Sequence, residues 1–259
     1  KGIDAIVEKM KELVEGSDKI DHETWGLIIL NLEADALIHD HSGYFENQKK
    51  KILADIEKIM NSSSANSQIP RFIRIYAQLS QIRLNDNVES EEIQYEKILL
   101  LLNEVRNTKV DENEHTEVPL SGFQNNPEID YKVLESEILE ELIHVMFKLK
   151  LDMEKIIKYL NECEMIKLSD NIHDSEGLAL VYNYLGKIYS EKGEDDIAVK
   201  YFQKTVSTAK KIGNDNWESH GRIGLAQILL KSNDSAAAVE EYEKIQKLKI
   251  ENDQKINKE

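Results

Sequence analysis

The chain has 259 residues, 33 Lys+Arg against 49 Asp+Glu, a formal charge of −16 and 41% hydrophobic residues, enough for one large or two ordinary domains. With 3 Pro and 11 Gly it is neither collagen-like nor of low complexity, and it lacks the tight turns of an all-β fold. The lone Cys163 forms no internal disulfide, and no apolar run reaches the ~18–20 residues that span a bilayer, so the expectation is a cytoplasmic protein.

Apolar residues recur at helical spacing throughout, and sustained period-two alternation is absent. The spacing predicts a first helix over about Ile3–Glu15, ended by Gly16-Ser17-Asp18, and a second over about His22–His39 with Asp21 as its N-cap. A third covers about Glu46–Met60, and the polar stretch Asn61–Ser67 is a loop. Pro70 suits the first turn of a fourth helix that runs to about Leu84, and a fifth spans about Glu89–Asn107. Residues 108–128 form the long acidic and polar loop, holding Pro119, Pro127 and the segment Val118–Phe123 as a docking candidate. Six helices follow, over about Tyr131–Lys150, Met153–Leu168, Ser175–Lys192, Asp195–Ile212, Asn216–Lys231 and Ser235–Lys249, and Ile250–Glu259 is a polar tail. The expected architecture is all-α, about eleven helices, most of them in antiparallel hairpins because their connections are short. It divides into N-terminal hairpins over 1–107, the loop 108–128, repeats over 129–249 and the tail 250–259. The opening residue, Lys1 rather than Met, fits a piece of a longer protein.

The acidity is local. Residues 86–141 carry 16 acidic and 4 basic side chains, whereas residues 172–249 carry 12 and 11. Acidic surface repels phosphate, so neither nucleic acid nor an anionic membrane is an expected partner. The acidic region is either a solvated surface or a docking face for a basic partner.

An internal repeat lies in the C-terminal half. A shift of 40 lays Leu185 on Leu225, Gly186 on Ala226, Gly193 on Asn233, Ala198-Val199 on Ala238-Val239, Phe202 on Tyr242 and Lys204 on Lys244. A small residue on a first helix lets the second cross closely, and Gly193 or Asn233 suits a left-handed turn. The run Tyr182…Leu185-Gly186…Tyr189…Gly193…Ala198…Phe202 resembles the tetratricopeptide repeat. Its 40-residue period is similar to the long-helix variety found in G-protein-regulator scaffolds and in bacterial signalling proteins. The resemblance covers 172–249 well. Over 130–171 it is weak, since His144 and Ile156 stand where the small residues would be and imply looser packing. No obvious polar capping helix follows Lys249, which fits a fragment or an end covered by a partner.

The search for catalytic chemistry yields little. His39-Asp40-His41 sits at a predicted helix end, where His favours the dipole and a second ligand cluster is absent. Glu141…His144 and Glu112…His115 have the spacing of di-iron bundles without the further carboxylates such a centre requires. Cys163 reads as a small buried hydrophobe. Gly221 and Gly224 read as helical spacers, and no phosphate-binding loop, nucleophile elbow or dinucleotide fingerprint occurs. No cofactor, metal or catalytic activity is expected.

The resemblance implies a right-handed superhelical stack of hairpins whose first helices line a concave groove. Its ligand-facing positions map onto Asn183, Tyr184 and Lys187 in one repeat and His220, Gln227 and Lys231 in the next, with Glu141 and Lys148 from the degenerate one. Asn offers a donor and an acceptor to a peptide backbone, and Lys meets a carboxylate. The family's clamp of two Lys and two Asn is incomplete here, so binding of a chaperone tail is not implied. The implied function is a non-catalytic scaffold for a protein or peptide partner. The alternative is a peptide-sensing regulator, or the sensor domain of a larger protein, switched by its ligand.

Overall fold

The computed structural model describes residues 22–38, 46–61, 69, 71–85, 90–108 and 126–256. The described residues form ten α-helices and no strand. The predicted helix over Ile3–Glu15, Asp21, the His39-Asp40-His41 group, Pro70, Glu112, His115 and Val118–Phe123 lie outside them. The chain divides after Leu149 into two compact units, whereas the sequence grouped residues 129–249 together.

The N-terminal unit holds α1 (His22–Ile38), α2 (Glu46–Met60), α3 (Arg71–Leu84), α4 (Glu91–Asn107) and α5 (Pro127–Lys148). Helix α3 packs against α1, α2, α4 and α5. Leu27, Ile28, Ile73, Leu79, Ile98, Leu134 and Leu139 are fully buried. Phe72 meets Tyr131 edge-on at 5.5 Å. Helix α5 starts four residues before the predicted Tyr131. Pro127 opens it and the Asn126 side chain caps it, accepting from the N–H groups of Glu128 (3.1 Å) and Ile129 (3.4 Å). Proline and cap together make a helix start, which the sequence reading had absorbed into the loop.

The C-terminal unit holds α6 (Met153–Lys167), α7 (Ser175–Glu191), α8 (Asp195–Ile212), α9 (Asp215–Lys231) and α10 (Ser235–Ile256). Each helix packs on the next, and α7 also touches α9. Asp152, Asp174 and Asn214 cap the starts of α6, α7 and α9. Helices α7, α8 and α9 end in the same turn. Gly193, Gly213 and Asn233 take φ of 77°, 68° and 62°. The following N–H then reaches back five residues, Glu194 to Tyr189 (2.9 Å), Asn214 to Ala209 (3.0 Å) and Asp234 to Leu229 (2.9 Å). This is the Schellman closure, and it needs the left-handed residue that glycine or asparagine supplies. Helix α10 runs to Ile256 rather than stopping at Lys249. Neither Gly nor Pro interrupts residues 250–256, so propagation adds a bond per residue with nothing to end it.

Phe202 organises the packing of this unit. It is 2% exposed. A Cβ built on Gly186 of α7 would stand 2.7 Å from its ring, and one on Gly224 of α9 only 2.4 Å. A Cβ on Gly221 would meet Val206 Cγ2 at 2.8 Å and the Phe202 carbonyl oxygen at 3.0 Å. Gly221 and Gly224 are therefore sites of close helix approach, not the neutral spacers they resemble in sequence. Ile156 is buried and His144 is half-buried, so large side chains fill the positions where the later repeat has small ones.

Two buried ionic groups fix the register. Lys167, at the end of α6, has an almost fully buried ammonium that donates to Asp174 Oδ2 at 2.5 Å. Burial works to raise the Asp174 carboxyl, but Lys167 and the Gly177 and Glu176 N–H groups outweigh it and hold it below its ordinary value. Arg222 of α9 donates to Glu218 (2.7 Å) and to Glu241 of α10 (2.6 Å).

Candidate functional site

Helices α7 and α9 lie side by side, and polar contacts near both ends fix their alignment. Near their starts Asn214 Nδ2 donates to Glu176 Oε1 at 2.9 Å. Near their ends Lys231 Nζ donates to the Ser190 hydroxyl at 2.7 Å and its carbonyl at 3.0 Å. These contacts join residues 38 and 41 positions apart, so the two helices run parallel, one period apart.

Asn183, Tyr184 and Lys187 of α7 and His220 and Gln227 of α9, five of the eight expected ligand-facing residues, lie on this pair. Asn183 is 2% exposed, not solvated, and its Oδ1 accepts no hydrogen bond. The resemblance implies a ligand-facing position on an open groove, whereas in the fold Asn183 and its neighbours Tyr182 and Leu185 are buried. Tyr184 is half-buried, and the Lys187 ammonium sits 5.3 Å from its ring centroid. Loss of solvent pulls the Lys187 ammonium below its ordinary pKa, partly offset by Glu191. His220 is tilted against Trp217, ring centroids 5.3 Å apart. His220 is exposed, and partial desolvation by its neighbours, then the positive charge of Lys187, push the imidazole below its ordinary pKa. Lys187 on α7 and His220 on α9 thus share one electrostatic neighbourhood. Gln227 is exposed.

The other three differ. Lys231 is engaged with Ser190 and with Asp195 Oδ1 at 3.3 Å, as a tie between helices. Glu141 accepts from Arg83 Nε at 2.9 Å inside the N-terminal unit, where Arg83 also reaches Glu137 at 3.0 Å. Lys148 ends α5 in that same unit. A one-dimensional repeat alignment cannot see Arg83, 58 residues before Glu141, and so it left that carboxylate available for a ligand. Arg106 (2.8 Å) and Lys132 (2.6 Å) likewise hold Glu135. Burial works to raise that carboxyl, yet the two cations keep it below its ordinary value. Part of the acidity of residues 86–141 is therefore neutralised within the fold.

The sequence reading missed Trp217. Its signal was an aromatic three residues after an Asn cap, and in the fold it supports His220. It also missed an open cavity of about 650 Å³ at the starts of α7 and α9, lined by His173, Glu176, Asn214 and Asp215 among others. Glu176 is held there by Asn214, and Asp174 by Lys167. On the opposite side of α7, Tyr189 stacks on Tyr201 of α8 at 5.6 Å, and the Lys204 ammonium lies 4.7 Å from the Tyr182 ring. Burial and the neighbouring Glu164 push the Tyr182 hydroxyl up to about 12. Among the described residues no group of three or more His, Cys, Asp or Glu is placed to hold a metal ion. Cys163 is fully buried. No described helix is long and apolar enough to cross a membrane.

No protein-family model matches the chain, and no curated protein matches it. Among solved structures, the crystal structure of BtubC (BKLC) from P. vanneervenii is similar, with a TM-score of 0.65 and 14% sequence identity over 97% of this chain and 90% of that one. A likeness at that identity is one of fold, and it joins this chain to a protein of the same helical architecture.

Proposed function

We propose that the C-terminal unit is a tetratricopeptide-like stack of hairpins, turning as a right-handed superhelix, that binds an extended peptide segment of a protein partner without catalysis. The segment lies along α7 and α9, over Asn183, Tyr184, Lys187, Trp217, His220 and Gln227. The observation that carries this reading is Asn183. Among the described residues of this unit, its Oδ1 is the one buried side-chain oxygen or nitrogen left without a hydrogen bond. An unmet buried acceptor costs about 1–3 kcal/mol, so the Asn183 side chain loses little by turning outward to accept from a bound peptide N–H. Lys187 adds positive potential for an acidic side chain or a carboxylate, and the neutral His220 imidazole beside it offers a hydrogen-bond donor. The three identical helix ends, the 40-residue register and the glycines around Phe202 support the repeat reading.

The test is selection of displayed peptides on the full chain, followed by calorimetry with the selected peptide. The Asn183→Ala/Lys187→Ala variant is expected to keep its helical circular dichroism and to bind at least tenfold more weakly. Peptides that bind wild type and variant equally, or no selected peptide at all, would overturn the assignment.

A further inference from the structure

The register that lays α10 on α8 places Ala238 on Ala198, Val239 on Val199 and Tyr242 on Phe202. Their inner faces are alike: Ala198 and Ala238 are both fully buried, and Ala226 of α9, the counterpart of Gly186, is too. Their outer faces differ. On α8, Phe202 is covered by α9 through two small residues three apart: Gly224 leaves the ring nearly against the α9 backbone, and Gly221 does the same for the Phe202 carbonyl oxygen and Val206. On α10, Tyr242 is 42% exposed, Val239 54% and Ile250 50%. With exposed Gln246 these residues have the 3-4-4 spacing of a single helical stripe. Exposed Glu243 and Lys247 flank one side of it and exposed Lys249 the other, giving an apolar centre with a polar rim. The fold thus carries two copies of one surface, and the covered copy shows what the exposed one fits.

We propose that the Val239–Tyr242–Gln246–Ile250 stripe is a docking surface for a helix of a protein partner, one bearing two small residues three positions apart. That helix seats on Tyr242 as α9 seats on Phe202. The inference uses the same 40-residue register as the reading above but not its groove, so either can fail alone.

The probe is a synthetic peptide of residues 214–233, the α9 segment with its own caps, titrated by fluorescence anisotropy into the full chain. Saturable binding is expected. It weakens at least tenfold when the protein carries Tyr242→Asp or, separately, Val239→Asp, and when the peptide carries Gly221→Leu with Gly224→Leu. Asn183→Ala/Lys187→Ala in the protein leaves it unchanged. Because Val239 and Tyr242 are exposed, their variants are expected to retain the wild-type circular dichroism. A peptide that does not saturate, or that binds the Tyr242→Asp and Val239→Asp proteins as tightly as wild type, overturns the proposal. So does a wild-type dimer in sedimentation that Tyr242→Asp splits, since the occupant would then be a second copy of the chain.

Discussion

Replacing Gly224 by alanine tests whether Phe202 is the keystone of the C-terminal unit. The new Cβ would stand 2.4–2.5 Å from three ring atoms, against ordinary contact beginning at 3.4 Å, so the ring must withdraw by roughly 1 Å. The ring is already packed closely on α7 as well, since a Cβ on Gly186 would stand 2.7 Å from it. Overpacking of this kind costs about 1–3 kcal/mol. Removing a mid-helix glycine returns about 1 kcal/mol of helix propensity. The single substitution should therefore destabilise by about 0–2 kcal/mol, too narrow a margin to decide alone. The cycle with Phe202→Leu separates the two effects. Without the ring, Gly224→Ala keeps only its propensity gain and should stabilise by about 1 kcal/mol. The coupling between the two sites is then about 1–3 kcal/mol. It is measured by urea denaturation followed by Trp217 fluorescence in a Trp25→Phe background. A coupling below about 0.5 kcal/mol, the range of independent sites, would refute the close approach of α9 to the ring.

Asp174→Asn leaves the buried Lys167 ammonium without its counter-charge, and a loss of about 2–3 kcal/mol is expected in the same denaturation assay; an unchanged midpoint would mean that Lys167 reaches solvent. The folded Asp174 carboxyl titrates below its ordinary value, so the unfolded chain takes up the proton first. Its contribution is complete above about pH 4 and disappears as pH falls through the folded pKa, and Asp174→Asn should flatten that part of the stability profile. Lys187→Met should move the His220 titration, followed by NMR of its ring protons, part of the way back up towards about 6.5, with partial desolvation retaining the rest; an unmoved midpoint would place Lys187 too far from His220 to matter. Asn183→Leu removes the unmet acceptor and should leave the unit as stable as wild type or more so, by up to about 1 kcal/mol, while abolishing peptide binding. A loss of more than about 2 kcal/mol would show the side chain to be structural.

The helices were legible because their signals are local. Periodicity, caps and the left-handed turns at Gly193 and Asn233 depend on residues a few positions apart, and the structure places helix ends there. The two misjudged boundaries have physical causes of the same range. The Asn126–Pro127 start resembles loop because few apolar residues precede it, and the polar sequence after Lys249 resembles a frayed end although it continues α10. The site was less legible, because a side chain's availability depends on partners distant in sequence. Glu141 and Lys231 have sound spacing for a groove, yet Arg83 and the Ser190–Asp195 pair hold them. Asn183 is buried where an open groove position was expected, and burial of that kind depends on packing partners the local pattern does not contain.

Those glycines connect the packing to the proposed function. Gly186 and Gly224 both sit against the same three atoms of one ring, Cδ1, Cε1 and Cζ of Phe202, so α7, α8 and α9 approach more closely than side chains at those positions would permit. Asn183, one turn before Gly186 on α7, is buried within this closely packed unit, and burial makes its empty acceptor costly in the free protein. The polar groups around it follow the opposite rule. Lys167 is matched by Asp174, and Arg222 by Glu218 and Glu241, although their burial is comparable. A unit that pairs its buried ions and leaves one amide oxygen unmet has concentrated its local instability on α7, one turn from Lys187, whose charge also reaches His220. There, a partner's N–H would relieve it. Loosening the α7–α9 approach, as Gly224→Ala does, should therefore also weaken selected peptides, because Asn183 would become hydrated in the free protein and would gain less on binding.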